Sequence, residues 1–236
     1  MLSVVIPAFN EADFLRPAVE EVVAGLRRRG RETEVLVVEN GSTDATEAVA
    51  RELETELAEV RTLSLPSPDY GAALRAGLLD AKGDVVVNFD VDYFDLDFLE
   101  RAVDLIHDDG GPVIVVASKR GAGADDQRAF GRRLITSVFG AVLRFGFGLK
   151  VSDTHGMKAM RRSSLSGVVE ACRFGTDLFD TELLLRAERA GLAVAEVPVV
   201  VSESRPSRTP ILRRAVRTVG GLVRLRIALW NERRHS

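Results

Sequence analysis

Short apolar runs alternate with segments of helical period through the first half of the chain. Five runs predict buried strands, because they lack the polar alternation of a strand with one face in water. They cover residues 2–8, 34–40, 60–65, 84–89 and 112–118. Helices are predicted between them, ending near residues 29, 57 and 81. Strand and helix repeated in this order predict an α/β fold, a mostly parallel sheet covered on both faces by helices.

The second half of the chain has a less regular pattern. We predict helices over 127–148 and 176–191, a turn leading into a short strand over 153–162, and an extended strand over 193–204. A basic helix over 210–230 ends the pattern. A chain of 236 residues with 46% hydrophobic content can bury one full core, so a single domain is predicted.

Cysteine usage and the first residues predict a cytoplasmic protein. Cys172 is the only cysteine, so no internal disulfide can form, and the first ten residues lack the features of a signal peptide. No uncharged apolar run approaches the roughly 18 residues of a membrane-spanning helix. The formal net charge is −3, yet residues 204–236 hold nine arginines against one acid. This split favours an acidic body with a basic tail that meets an anionic surface, and nucleic acid is not among the predicted partners.

Four loops follow predicted strands and should meet at one edge of a parallel sheet, where such sheets bind ligands. They span 8–11, 39–44, 90–95 and 118–120, and all are rich in polar residues. Solvation is a sufficient explanation for any one of them. Their coincidence at a single edge predicts a binding site.

Three carboxylates follow the fourth strand. Asp90 and Asp92 point the same way from an extended chain and would repel each other unless a hard divalent cation, Mg²⁺ or Mn²⁺, lay between them. A solvated loop is the alternative for this D-x-D pair. Asp95 directly precedes a helical segment and is predicted to cap it. Neither a P-loop nor a dinucleotide fingerprint occurs in the chain, so a metal-bridged diphosphate is the expected ligand.

Six ordered blocks resemble the inverting family 2 glycosyltransferases, and most of all their dolichyl-phosphate mannose synthase and polyprenyl-phosphate glycosyltransferase branch. The blocks lie at 4–11, 37–44, 70–78, 83–92, 153–162 and 179–191. The resemblance implies a Rossmann-like, glycosyltransferase A-type catalytic domain over 1–203, with a donor half at 1–118 and an acceptor half at 119–203, followed by a basic segment with an amphipathic helix at 204–236. It implies metal-dependent transfer of glucose or mannose from a nucleoside-diphosphate sugar to a polyprenyl phosphate.

The resemblance also assigns residues to the donor. Glu11 is expected near the ribose or base, and Arg205 and Arg208 match a segment that closes over the diphosphate. Glu39 and Asn40 stand where the family usually has two aspartates, which leaves uridine and guanosine donors both open. The full set of implied donor contacts is Pro7, Ala8, Asn10, Glu11, Glu39, Asn40, Asp90, Val91, Arg205 and Arg208.

Asp92 and Asp153 are the catalytic residues that the resemblance implies. Asp153 matches the aspartate of an acceptor-side D-x-x-G-F-[KR] motif, in which Met157 replaces the usual aromatic residue; a structural turn carboxylate is the alternative. A glutamine that often follows the metal-binding aspartates is Phe94 here. The third ligand is then water or another residue such as His155, whose alternative is an ordinary turn residue.

A phosphate acceptor is already an anionic nucleophile, so the protein should supply cations to it and not a base. The acceptor contacts implied by the resemblance are Lys119, Arg120, Arg133, Ser137 and Lys158. A basic solvated helix face is the alternative for the first four. A soluble or protein hydroxyl acceptor would instead need Asp153 or another carboxylate as base. An alternative from a different functional class is a module that binds a nucleotide sugar without catalysing transfer.

The basic tail carries an apolar stripe at helical spacing. Its members are Leu212, Val216, Val219, Val223, Ile227 and Trp230. Such a helix favours peripheral association with an anionic membrane, at the inner face of the cell membrane. The alternatives are packing on the protein's own body or on a second subunit of a homodimer.

Overall fold

The computed structural model describes residues 1–118, 125–126, 130–175, 178–201 and 211–235. Nine strands are described: β1 Leu2–Ala8, β2 Thr33–Asn40, β3 Val60–Leu65, β4 Val85–Asn88, β5 Ile114–Ser118, β6 Asp125–Asp126, β7 Lys158–Arg161, β8 Val194–Pro198 and β9 Val200–Val201. Eight helices accompany them: α1 Ala12–Arg28, α2 Thr46–Glu56, α3 Tyr70–Asp80, α4 Leu96–His107, α5 Phe130–Phe147, α6 Arg162–Ala171, α7 Phe179–Arg189 and α8 Ile211–His235.

Seven strands form one sheet in the order β3-β2-β1-β4-β7-β5-β8, and the short β6 and β9 pair separately. All neighbours in the large sheet are parallel except those of β7, which runs antiparallel to β4 and β5. The predicted α/β class and mostly parallel sheet are therefore confirmed. The predicted strands match β1 to β5 to within about two residues, the usual uncertainty of such boundaries.

Helices cover both faces of the sheet. Val4 and Ile6 of β1 belong to a buried cluster with residues of α1, α2 and α4, whereas Val5 belongs to a second cluster with residues of α3, α6 and α7. Successive side chains of a strand point to opposite faces, so both faces must be apolar here. This two-sided burial explains the continuous apolar runs in the sequence.

The reversed strand β7 determines which loops meet. Its first residue, Lys158, pairs with Asn88 at the carboxyl end of β4. Because β7 is antiparallel, the loop at 153–157 that precedes it lies at the same edge of the sheet as the loop at 89–95 that follows β4. The fold thus brings together the two sequence blocks that contain Asp90 and Asp153.

Helix starts agree with the sequence in part. Asp95 caps α4 as predicted, since its carboxylate accepts hydrogen bonds from the N–H groups of Asp97 (2.8 Å) and Phe98 (2.9 Å). Ser42 and Thr43 are residue types that favour a helix cap, but α2 begins three or more residues later, after Ala45, without a side-chain cap. The helix α6 was not predicted, because its four small polar or glycine positions obscure the apolar period.

The last helix, α8, packs on the body of the protein through one face and exposes another. Leu222, Leu225 and Leu229 are buried in the second cluster. Val223, Ile227 and Trp230, three members of the predicted apolar stripe, are each more than half exposed. Among the described residues, no helix is both long and apolar enough to cross a membrane.

Candidate active site

A tight turn after β4 presents the two aspartates of the D-x-D motif, here called the aspartate pair. Backbone hydrogen bonds join Asp90 and Tyr93 in both directions, at 3.1 and 3.2 Å. Val91 packs into the core from this turn and is 7% exposed, whereas Asp92 is exposed at the tip. The turn therefore fixes one carboxylate against the protein and turns the next one outward.

Asp90 lies among like charges. Burial and the neighbouring carboxylates of Asp180 and Asp92 together raise the pKa of its carboxyl to about 6, against the lowering effect of a hydrogen bond from Tyr70 and of the Lys158 ammonium. The hydroxyl of Tyr70 donates to Asp90 Oδ1 at 3.1 Å. Burial also raises the pKa of Tyr70 well above 10, so the hydroxyl keeps its proton at neutral pH.

This surplus of negative charge fits a hard divalent cation. Two hard oxygen donors, one held and one exposed, are the protein ligands that Mg²⁺ or Mn²⁺ commonly takes when phosphates and water complete its shell. A third protein ligand is not found: within the described ranges, no three His, Cys, Asp or Glu side chains are grouped to hold a metal.

The prediction of His155 as that third ligand is therefore not supported. Its Nδ1 lies 3.0 Å from the hydroxyl of Thr154, and its ring packs against Phe139, with ring centroids 5.7 Å apart. These contacts hold the imidazole against α5 and the loop that precedes β7.

Lys158 forms a buried ion pair. Its side chain is fully buried, and Nζ donates to Asp180 Oδ1 at 2.7 Å and to the carbonyl of Gly156 at 2.8 Å. The sequence assigned this ammonium to the acceptor, but its described partners are internal. A direct contact with an acceptor would have to break the ion pair.

Hydrogen bonds join the loop after β1 to the loop after β2, the two loops expected to bind the donor. Asn10 adopts a positive φ of 53°, and its side-chain oxygen accepts from the Thr43 N–H at 2.8 Å. The Glu11 N–H donates to the hydroxyl of Thr46 at 2.8 Å. Pro7 and Ala8 are buried at the end of β1, so they can offer a ligand little besides backbone.

Glu39 and Asn40 both turn into the protein. Glu39 is 2% exposed, and its carboxylate accepts from the N–H groups of Ser42 (2.6 Å) and Gly41 (3.2 Å). The side-chain oxygen of Asn40 accepts from the Asp69 N–H at 2.9 Å. Gly41 has φ +66°, and a Cβ there would lie 2.8 Å from the backbone of a neighbouring loop, so only glycine fits this turn. Glu39 thus stabilises its own loop, and Asn40 joins the end of β2 to the start of α3.

Asp153 lies on the other side of the site and is 5% exposed. Its Oδ1 accepts from the His155 N–H at 3.0 Å. Its Oδ2 is buried and has no hydrogen-bond partner in the part of the chain that the structure describes. Buried carboxylate oxygens are normally satisfied, so this atom marks a position where a ligand group is expected.

Several predicted contacts lie outside the described residues. Lys119, Arg120, Arg205 and Arg208 belong to ranges that are not described, as do the side chains of Arg133 and Ser137 in α5. Their assignments to acceptor and donor remain predictions.

Two residues of the site were not singled out from the sequence, Tyr70 and Asp180. Both lie inside blocks that carry the family resemblance, but neither matches a charged motif by itself. A usable signal is present in α7, where Asp180, Thr181 and Glu182 are three consecutive polar residues that are all buried. Buried polar runs of this kind require internal partners.

Comparison with known proteins agrees with this geometry. A family model described as glycosyl transferase family 2 matches residues 3–168. The chain therefore belongs to glycosyl transferase family 2, and it is an enzyme of that class. The fold and branch expected from the sequence are confirmed.

Individual relatives refine this placement. A dolichyl-phosphate β-glucosyltransferase of Trichomonas vaginalis is 28% identical, over 96% of this chain and 72% of its own length. A dolichyl-phosphate β-glucosyltransferase of Drosophila melanogaster is 31% identical, over 84% and 66% respectively. Among solved structures, a glucosyl-3-phosphoglycerate synthase of Mycobacterium tuberculosis in complex with Mn²⁺, UDP and glucosyl-3-phosphoglycerate is 26% identical with a TM-score of 0.70, over 95% of this chain and 79% of that one.

Proposed function

We propose that this enzyme transfers a hexose from a nucleoside-diphosphate sugar to a polyprenyl phosphate, with inversion at the anomeric carbon. The observation that carries the proposal is the aspartate pair: a half-buried Asp90 among like charges beside an exposed Asp92, at the sheet edge where parallel sheets bind ligands. Two neighbouring carboxylates that repel each other are costly unless a ligand supplies positive charge.

Asp90 and Asp92 are the residues that would hold Mg²⁺ or Mn²⁺, with the donor diphosphate as the further ligand. When bound, the cation supplies positive charge that stabilises the departing diphosphate. Asp90, held by Tyr70, would provide a fixed oxygen ligand, and Asp92 at the exposed tip would provide a second one. The complexes of related synthases with UDP and Mn²⁺ support this assignment.

The donor half orients the nucleotide through backbone and loop geometry. The hydrogen bonds that join the loops after β1 and β2 hold Asn10 and Glu11 beside each other, and Glu11 is the side chain proposed to meet the ribose or base. UDP in the related structures and the glucosyltransferase names of the relatives favour a uridine donor and glucose among the alternatives.

The acceptor side is proposed to receive a lipid phosphate. A phosphate monoester is ionised at neutral pH and needs no general base, so Asp153 would act by positioning. Lys119, Arg120, Arg133 and Ser137 remain the proposed phosphate contacts. The dolichyl-phosphate acceptors in the names of the relatives support this choice.

We also propose that the protein associates with a membrane, and the exposed face of α8 supports this. Val223, Ile227 and Trp230 recur at helical spacing with the exposed Arg224 and Arg226 beside them. Apolar side chains edged by arginines suit the interface of an anionic membrane, where a polyprenyl phosphate presents its head group. The proposed location is the inner face of the cell membrane.

A transfer assay tests the proposal. Radiolabelled UDP-glucose, UDP-galactose and GDP-mannose are each offered with polyprenyl phosphate or with 3-phosphoglycerate, and the product is partitioned between organic and aqueous phases. We expect label in the organic phase with UDP-glucose. A labelled product of 3-phosphoglycerate in the aqueous phase, with no label in the organic phase, would contradict the lipid acceptor. Donor binding without a labelled product of either acceptor would favour a non-catalytic binding module.

A hydroxyl acceptor is the second candidate, favoured by the unpartnered Oδ2 of Asp153. With such an acceptor this carboxylate would take the proton, and Asp153→Asn should slow transfer by about 10²- to 10⁴-fold. With a phosphate acceptor the same variant should raise the acceptor KM more than it lowers kcat. The two patterns separate the candidates in one set of rate measurements.

A further inference from the structure

We propose that Tyr70 is a positioning residue that fixes the orientation of Asp90 within the aspartate pair. The proposal rests on the proposed metal-dependent function and adds a residue that no motif assigns. Its basis is a single contact, the hydroxyl of Tyr70 donating to Asp90 Oδ1 at 3.1 Å. A donor on one carboxylate oxygen restricts rotation of the carboxylate and leaves the other oxygen for a ligand.

The helix start holds Tyr70 in place. Tyr70 is the first residue of α3, and Asp69 caps that helix by accepting from the Ala72 N–H at 3.0 Å. Asp69 is itself held by Asn40, whose side-chain oxygen accepts from its N–H at 2.9 Å. The tyrosine is therefore anchored from the carboxyl end of β2, a strand that does not contain the aspartate pair.

Two glycines let the opposite side of the site approach the same helix start. A Cβ at Gly71 would lie 2.6 Å from the carbonyl carbon of Gly175, and a Cβ at Gly175 would collide with the carboxylate of Asp69. This close contact brings the loop before α7 against α3, so that Asp180 near the start of α7 enters the same cluster as Tyr70.

The neighbouring ion pair explains why Asp90 accepts a hydrogen bond from a neutral hydroxyl and not from the Lys158 ammonium. Lys158 is engaged with Asp180 at 2.7 Å, which compensates that carboxylate internally. Asp90 receives a hydroxyl instead, which orients it without cancelling its charge. The aspartate pair thereby keeps its negative charge for a cation, while Asp180 does not compete for it.

The substitution Tyr70→Phe removes the hydroxyl and keeps the ring. Mn²⁺ affinity is measured in the presence of UDP from the electron paramagnetic resonance signal of free Mn²⁺, and transfer is measured across a Mn²⁺ titration. We expect Mn²⁺ binding to weaken by about 10- to 100-fold, the usual effect of losing a partner of a metal ligand. At saturating Mn²⁺, kcat should recover towards the wild-type value, which a merely structural defect would not allow.

Thr62→Val is the matched control, because the hydroxyl of Thr62 also makes one described hydrogen bond, to the Ala50 carbonyl at 3.0 Å, on the edge strand β3. It should leave Mn²⁺ affinity unchanged. Gly175→Ala is a second variant, which should displace the start of α3 and weaken Mn²⁺ binding in the same direction. It decides the question if Tyr70→Phe does not fold.

Unchanged Mn²⁺ affinity in folded Tyr70→Phe would overturn the proposal, as would a loss of kcat that saturating Mn²⁺ does not restore. The result is distinguishable from failure of the proposed function. Wild-type protein that binds Mn²⁺ with UDP but transfers nothing to polyprenyl phosphate refutes the acceptor, while the Tyr70→Phe affinity still decides the role of Tyr70. Wild-type protein that binds no Mn²⁺ overturns both.

Discussion

Glu39 and Asp90 are acidic residues at the same edge of the sheet, one ending β2 and the other following β4, yet their surroundings differ. The carboxylate of Glu39 is buried and accepts from two backbone N–H groups of its own loop. The carboxylate of Asp90 receives one neutral hydroxyl and lies near Asp92 and Asp180, with its pKa raised to about 6. The contrast indicates that Glu39 stabilises its own loop, and it supports the proposal that Asp90 binds a cation.

The largest effect is expected at Lys158, whose ammonium lowers the pKa of Asp90. Lys158→Met leaves Asp180 buried and unpaired, which should lower the free energy of unfolding by about 3–5 kcal/mol. Urea denaturation measures it, and the double variant Lys158→Met/Asp180→Leu should recover part of the loss. A loss no larger than that of an exposed pair would show that the two residues do not form a buried ion pair.

Glu39→Gln tests the loop-stabilising member of the comparison. Replacing the carboxylate should weaken its two hydrogen bonds to backbone N–H groups and lower the free energy of unfolding by about 1–3 kcal/mol. Mn²⁺ affinity should stay unchanged, because Glu39 faces its own loop. Glu32→Gln, an exposed acid just before β2, is the control. A large loss of Mn²⁺ affinity in Glu39→Gln with unaltered stability would reverse the roles given to Glu39 and Asp90.

The two faces of α8 allow a similar contrast between surface and core. Ile227→Ser with Trp230→Ser removes exposed apolar groups and should reduce binding to anionic vesicles without lowering the melting temperature. Leu79→Ser, an exposed leucine on α3, is the matched control and should bind vesicles like the wild type. If the wild type ignores vesicles and gel filtration shows a dimer that the double variant loses, the exposed face belongs to a subunit interface.

The smallest effect on stability is expected for the ion pair that joins α8 to α7. Glu232 accepts from Arg186 at 2.9 and 3.0 Å, and this hydrogen bonding holds the pKa of Glu232 below its ordinary value of 4.5. A lowered folded-state pKa stabilises the protein above the unfolded pKa, and that stability is lost as pH falls through the folded value. Glu232→Gln should therefore cost at most about 1 kcal/mol at pH 7, because the pair is partly exposed. The difference in melting temperature from the wild type should vanish in acid, and a difference that persists there would contradict the ion pair.

Local sequence patterns predicted much of the sheet, because β1, β2 and β4 are apolar on both faces. They also predicted the start of α4, because Asp95 is a good helix cap. The direction of β7 could not be predicted, since strand pairing depends on residues far apart in sequence. The burial of Lys158 was missed for the same reason: its partner, Asp180, lies on α7. Family resemblance singled out Glu39 together with the aspartate pair, because the motif does not record which carboxylates accept hydrogen bonds from their own loop.

The tail shows a further limit of sequence patterns. α8 contains two apolar stripes, one through Leu225 and one through Ile227, and period alone cannot say which of them packs on the body. Gly221 settles this locally, since a Cβ there would collide with Leu178. The glycine that weakens the helix as an isolated segment thus permits its close packing.

The central claim is that the aspartate pair holds a cation required for transfer to a polyprenyl phosphate, and metal-dependent turnover tests it most directly. Transfer from radiolabelled UDP-glucose to polyprenyl phosphate is measured for the wild type in chelator, after Mn²⁺ is restored, and for Asp92→Asn. The account predicts lipid-linked product only with Mn²⁺, and a loss of about 10²- to 10³-fold or more in Asp92→Asn with an unchanged melting temperature, because that side chain is exposed. Full activity in chelator, or in folded Asp92→Asn, would contradict it.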